Sequence, residues 1–133
     1  MKFLLDTHVW VWASQSPDEL GKKAKAAMLD SGSSLFVSAV SHLEVARLAS
    51  LALLQLTVPV REWCRQALVE LDASLLVMDD AVAIEAYALP GRFHADPADR
   101  LLVATARVHG LTLVTADKRI LKYPEVRVMD ARK

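Results

Sequence analysis

The sequence predicts an α/β fold on a central parallel sheet of four to five strands, and three observations carry that prediction. Short apolar runs of strand length recur along the chain, segments of helical period separate them, and 53% of the 133 residues are hydrophobic against 24% charged. Strands that alternate with helices build βαβ units, whose parallel sheet is covered on both faces. The apolar fraction suffices for a core and excludes a disordered chain. At this length a single domain over residues 1–133 is expected, with no internal repeat, linker or low-complexity tract.

Phe3-Leu4-Leu5 is the first strand, an unbroken apolar run of the kind buried on both faces. Val9 to Ala13 is a short helix, and Pro17-Asp18-Glu19-Leu20 opens a second, with Ala24, Ala27 and Met28 inward, ended by Ser31-Gly32-Ser33. Leu35-Phe36-Val37 is the second strand, and Ser38 to Ala49 the helix after it, with Val40, Leu43 and Arg47 at helical spacing. A leucine-rich stretch, Leu51 to Leu56, precedes a helix over Val60 to Glu70 that Pro59 introduces. Leu75-Leu76-Val77 is the third strand, and Asp80 to Ala88 a helix stopped by Pro90-Gly91. Pro97 to His109 carries the clearest helical signals, with Pro at the first position and Gly110 as C-cap. Leu111 to Val114 is the fourth strand and Val126-Arg127-Val128 a fifth.

Sixteen basic and sixteen acidic residues cancel to a net charge of zero. That disfavours a passive nucleic-acid binder, which is basic overall, but not a nuclease that holds its substrate transiently. The lone cysteine, Cys64, rules out an internal disulfide and fits a cytoplasmic setting. Asp6 and His8 interrupt the apolar start, so no signal peptide is expected. No apolar run approaches the roughly 18–20 residues of a membrane span, so no membrane partner is expected.

Ligands of open α/β sheets sit beyond the carboxyl ends of the strands. Asp6 follows the first strand, Ser38 the second, Asp79 and Asp80 the third, and Asp117 the fourth. Glu44 lies about two turns into the helix that Ser38 starts, and Asp96 and Asp99 open the helix that leads into the fourth strand. Each acid has a structural reading: Asp96 as N-cap, Asp99 at a helix dipole, Ser41 with Glu44 as a capping box, Asp6 or Thr7 as cap of the first helix. Taken together, Asp6, Glu44, Asp99 and Asp117 converge at one sheet edge, where carboxylates raise one another's pKa and a fold gains nothing from gathering them. A hard divalent cation, Mg²⁺ or Mn²⁺, resolves that conflict and suits phosphodiester hydrolysis. No Cys/His spacing points to zinc.

Phe3-Leu4-Leu5-Asp6-Thr7-His8, Val37-Ser38 with Glu44, His94-Ala95-Asp96-Pro97-Ala98-Asp99-Arg100-Leu101-Leu102 and Leu113-Val114-Thr115-Ala116-Asp117 resemble, in order and spacing, the successive motifs of PIN-domain ribonucleases. More narrowly they resemble VapC-type toxins of type II toxin–antitoxin systems, over residues 3 to about 128. The resemblance implies a PIN-like α/β/α sandwich and a Mg²⁺- or Mn²⁺-dependent endoribonuclease that cleaves RNA with a metal-activated water. It implies Asp6, Glu44, Asp99 and Asp117 as catalytic and metal-binding residues, and Asp96 as a further acid of the D-P-x-D-R motif. Thr7 and Thr115 stand where hydroxyls support the metal ligands, and Ser38 is a third such candidate. A homodimer and a groove for an antitoxin peptide are also implied, with Leu48, Leu51, Leu53, Leu54, Leu56 and Trp63 as candidate partner surface. The chain departs from the pattern at His8, where many relatives have Asn, and at Ala98, where an aromatic is usual. It has Ala49-Ser50-Leu51-Ala52 in place of a Gly-Lys turn.

Arg100, Lys118 and Arg119, with Arg92, His94 and Lys122 nearby, are candidate RNA-phosphate contacts. Trp10 and Trp12 are expected in the core, and His42, His109 and Cys64 in structural places. Two other functions stay open at this level: a receiver-like phosphoryl-transfer domain using Asp79-Asp80, Thr115 and Lys118, and a catalytically silent PIN-fold binding module.

Overall fold

Five strands, β1 (Lys2–Leu5), β2 (Ser34–Ser38), β3 (Ala73–Leu76), β4 (Thr112–Thr115) and β5 (Val128–Asp130), form one sheet in the order β3-β2-β1-β4-β5 in the computed structural model, which describes residues Met1–Lys133. Every pairing is parallel, with Phe3 opposite Leu35 on one side and Leu5 opposite Val114 on the other. The helices are α1 (Thr7–Gln15), α2 (Lys22–Leu29), α3 (Ala39–Ser50), α4 (Val60–Leu71), α5 (Asp80–Glu85), α6 (Pro97–His109) and α7 (Lys118–Leu121). None is long and apolar enough to cross a membrane.

The apolar run of β1 is unbroken because the strand has a core on each face. Phe3 and Leu5 join Val9, Trp10, Val37, Trp63 and Val114 on one side. Leu4, one residue out of phase, joins Leu102, Val103, Ala106 and Leu113 on the other. The result is the expected α/β/α sandwich. Strand order reverses between β1 and β4, and the crevice outside their carboxyl ends is where such sheets bind ligands.

Several boundaries differ from expectation, each for a physical reason. The helix expected from Pro17 onward is split into a 3₁₀ turn, Pro17–Glu19, and α2. The chain's last residues cross Gly21, whose N–H donates to the Ala131 carbonyl at 2.9 Å. A Cβ on Gly21 would lie 2.3 Å from the Lys133 backbone, so only glycine fits there. The edge strands lie two residues away from their expected positions: β3 starts at Ala73 and β5 at Val128. As an edge, β3 leaves Leu75 and the following Val77 exposed, so its apolar pattern marks burial poorly. The leucine-rich stretch divides: Leu54 and Leu56 pack on the core, while Leu51 and Leu53 face solvent. Ala52, within that stretch, holds φ 57°, a left-handed conformation that costs any residue with a Cβ. This is the turn where the expected glycine is missing.

Candidate active site

Four separate elements bring carboxylates to one cavity of about 330 Å³ across the β1–β4 crevice. Asp6 and Asp117 enter from the ends of β1 and β4, Glu44 from α3, and Asp96 and Asp99 from the start of α6. Asp6 is 8% exposed and held twice: Oδ1 accepts the Thr7 N–H at 2.7 Å, and Oδ2 accepts the Thr115 hydroxyl at 2.6 Å. The Thr115 hydroxyl in turn accepts the Asp117 N–H at 3.0 Å, tying the two strand ends together. Asp117 Oδ1 caps α7 through the N–H groups of Arg119 (2.7 Å) and Ile120 (3.3 Å). Asp96 Oδ1 caps α6 through Ala98 and Asp99 at 2.9 and 3.2 Å.

The structural readings of Asp6 and Asp96 as helix caps are therefore true, Asp117 caps α7 in the same way, and all three carboxyl groups also line the cavity. The capping box of Ser41 and Glu44 does not form. Ser38 caps α3 instead, its hydroxyl accepting the Val40 N–H at 3.0 Å. Glu44 Oε1 accepts the Thr7 hydroxyl at 2.6 Å, and Ser41 Oγ lies 2.9 Å from the same hydroxyl. Thr7 thereby joins α1 to α3 across the cavity's inner wall.

Crowding and burial leave a clear electrostatic mark. Burial, and then the charges of Asp6, Asp96, Asp117 and Glu44, push the Asp99 carboxyl up to about 7. Burial also raises Asp6 and Glu44, against the hydrogen bonds from Thr115 and Thr7 that favour their ionised forms. Asp117 goes the other way: burial would raise it, but hydrogen bonds from Arg119 and the α7 N-terminus hold it below the usual range. Arg119 Nη2 stands 3.3 Å from Asp117 Oδ2 and 3.6 Å from Asp99 Oδ2, a cation between two acids. No three acidic, histidine or cysteine side chains meet at one point as a ready coordination cluster; the carboxyl groups ring the wall, and Asp6, Glu44, Asp96 and Asp117 are each held by a hydrogen bond of their own.

The donor set is hard oxygen throughout, five carboxylates backed by two threonine hydroxyls, with an excess of negative charge. That chemistry fits Mg²⁺ or Mn²⁺ and does not fit a soft-metal or thiolate site. The fold leaves other candidates outside the cavity. Ser38 is buried at the end of β2, and Lys118 is exposed at the start of α7. Asp79 caps α5 through the Val82 N–H at 3.0 Å, and neither it nor Asp80 lines the acidic cavity. Arg100 follows Asp99 in sequence but leaves on another side of α6. Its Nε donates to the Ala86 carbonyl at 2.8 Å, and its Nη1 to those of Phe93 and His94 at 3.0 and 3.1 Å. It ties the approach to α6 and has no pair with Asp96.

Three neighbours of the acids, His94, His8 and Trp12, take places that sequence reasoning did not give them. His94 Nδ1 accepts the Asp96 N–H at 3.3 Å, and Nε2 stands 3.1 Å from Asp99 Oδ2, too poorly aligned for a full hydrogen bond. Its position five residues before Asp99 was visible, but not the turn that folds it back. His8 and Trp12 line the cavity from α1, and their i,i+4 spacing is the signal that places them on one face.

Comparison with known proteins fits this geometry. The family model for the PIN domain matches residues 3–126. The chain is 41% identical over 124 residues to Ribonuclease VapC22 of Mycobacterium tuberculosis, covering 93% of each. Among solved structures, VapBC2 from Rickettsia felis bound to a DNA fragment from their promoter superposes with TM-score 0.68 at 17% identity, over 97% of this chain and 98% of that one. A toxin-antitoxin complex from Klebsiella pneumoniae gives TM-score 0.65 at 18% identity, over 96% of both chains. Those two likenesses speak for the fold.

Proposed function

Since the chain belongs to the PIN domain family, we propose that it is a divalent-metal-dependent endoribonuclease serving as the toxin of a toxin–antitoxin pair. The observation that carries the chemistry is the ring of Asp6, Glu44, Asp96, Asp99 and Asp117 in one cavity, with Asp99 pushed up to about 7 by burial and by the other acids. The 41% identity to a ribonuclease over 93% of the chain supports the substrate class.

Asp6, Glu44, Asp99 and Asp117 are the residues that would hold Mg²⁺ or Mn²⁺, with Asp96 as a further acid. Such an ion would supply Lewis acidity at the phosphate and would lower the pKa of a nucleophilic water. The chain's own residues position the reaction. Thr115 and the Thr7 N–H fix both oxygens of Asp6, and the Thr7 hydroxyl fixes Glu44. The α6 N-cap bonds set Asp96 one turn before Asp99. Arg119, 61% exposed, can turn from Asp99 and Asp117 to a phosphate, and exposed Lys118 beside it can do the same. Arg100 drops out of that role because backbone carbonyls hold its guanidinium.

A cytoplasmic homodimer over one domain, residues 1–133, completes the reading. An antitoxin segment would find a hollow of about 670 Å³ beside α4, lined by Val60, Cys64 and Leu68 together with His42, Arg61 and Arg65. The activity is tested by incubating the chain with a mixed pool of structured and single-stranded RNAs, in Mg²⁺ or Mn²⁺ and in EDTA, beside Asp6→Asn. Cleavage that requires both metal and Asp6 is expected; cleavage by the Asp6→Asn chain at the wild-type rate contradicts the site.

A further inference from the structure

The acidic cavity has one wall that metal binding and hydrolysis do not use. α1 carries two tryptophans with opposite fates. Trp10 is fully buried, with His42 at 4.8 Å and Trp63 edge-on at 5.1 Å, as expected of a core residue. Trp12 was expected beside it but is only half-buried, and it lines the cavity that holds the carboxylates. His8 stands one turn before it on the same face, ring centroids 6.3 Å apart, and lines the same cavity. From outside, the Arg132 guanidinium lies 4.7 Å over the indole and is held in turn by Glu19 at 3.7 Å. The chain's end thus steadies the ring without taking its place at the cavity.

An indole contributes nothing to a hard-cation site, whose ligands are oxygens. Beside a centre that cleaves a phosphodiester, an aromatic surface has one evident use. Unpaired bases stack on aromatic side chains, whatever their sequence, whereas a base within a duplex has both faces already covered. We propose that Trp12, flanked by His8, stacks an unpaired nucleobase next to the scissile phosphate and so makes the chain select single-stranded or flipped-out RNA. This rests on the nuclease reading above.

The test uses the full chain, a mixed-sequence single-stranded RNA pool, and the same pool annealed to its complement. Trp12→Phe keeps an aromatic face, and Trp12→Leu removes it while keeping apolar bulk against the core. In Mg²⁺, Trp12→Leu is expected to raise KM for the single strands by about 5- to 150-fold, the worth of one stacked base. The kcat should hold, Trp12→Phe should restore KM, and the duplex pool should be cut poorly by all three. Binding is read separately as tryptophan fluorescence, with Ca²⁺ as the charge-neutralising ion. Single-stranded RNA should quench the wild type and leave Trp12→Phe, whose remaining Trp10 and Trp63 are buried, nearly unquenched. Quenching that depends on Trp12 without cleavage by the wild type would sustain stacking and overturn the nuclease reading. Cleavage by the wild type with quenching indifferent to Trp12, or an unchanged KM in Trp12→Leu, would overturn stacking alone. Neither cleavage nor quenching would overturn both.

Discussion

The two ends of the sheet treat charge in opposite ways. Near the amino ends of β4 and β5, a hollow of about 430 Å³ is bordered by Glu85, Arg107, Glu125 and Arg127, two cations with two anions. There Arg107 pairs with Glu85 at 3.1 Å and donates to the Glu125 carbonyl, and Arg127 donates to the Gly110 carbonyl at 2.7 Å. At the carboxyl ends of β1 and β4, five carboxylates face Arg119 as the one arginine or lysine lining the cavity. Matched charge is what stability alone requires. An anionic excess that drives Asp99 up to about 7 works against the folded chain and points to a cationic ligand.

Neutralising one acid should break the comparison most sharply. Asp99→Asn is expected to lower RNA cleavage by more than about 100-fold, beyond the loss from disturbing a residue that merely supports a ligand. The same variant should melt higher than wild type at pH 8 without metal, because a repelled charge is gone. Loss of activity together with a lower metal-free melting temperature would mean that Asp99 is structural. Thr115→Val removes the hydroxyl that orients Asp6 and accepts from Asp117. Isothermal titration with Mn²⁺ should then show about 10- to 100-fold weaker binding, with the fold retained. The smallest effect belongs to the matched end. Arg107→Ala should cost about 1 kcal/mol in urea unfolding and leave cleavage unchanged. A loss of cleavage there would erase the contrast between the two ends.

What the sequence made legible follows from how local each cause is. Phe3-Leu4-Leu5 reads as a buried strand because both of its faces meet a core. The α6 limits read correctly because Asp96, Pro97 and Gly110 (φ 65°) act within one turn of the helix ends. Asp6 and Asp117 were visible because acids that follow strands in such sheets lie at the crevice. The split at Gly21 was hidden because its cause is the C-terminal tail, far along the chain. Glu44 looked like part of a capping box because its true partner, Thr7, belongs to another helix. Arg100 looked like a site residue because adjacency in sequence is not adjacency on a helix, where consecutive side chains point about 100° apart. Trp12 looked like core because composition cannot tell which of two nearby tryptophans borders a cavity.

The anionic excess itself is measured most directly by the melting temperature from pH 6.5 to 8, with and without millimolar Mg²⁺. Asp99 has a folded pKa of about 7, raised from 3.8, so the protonated form is favoured in the fold. Its contribution to stability is full below 3.8 and is lost as pH rises through about 7. His94, lowered by burial, acts with the opposite sign once pH falls below 6.5, which sets the lower limit of the window. Without metal, the melting temperature should fall from pH 6.5 to 8; with Mg²⁺, which binds only the folded chain, it should rise overall and the fall should disappear. A melting temperature indifferent to Mg²⁺ at every pH would contradict a cation site in this cavity.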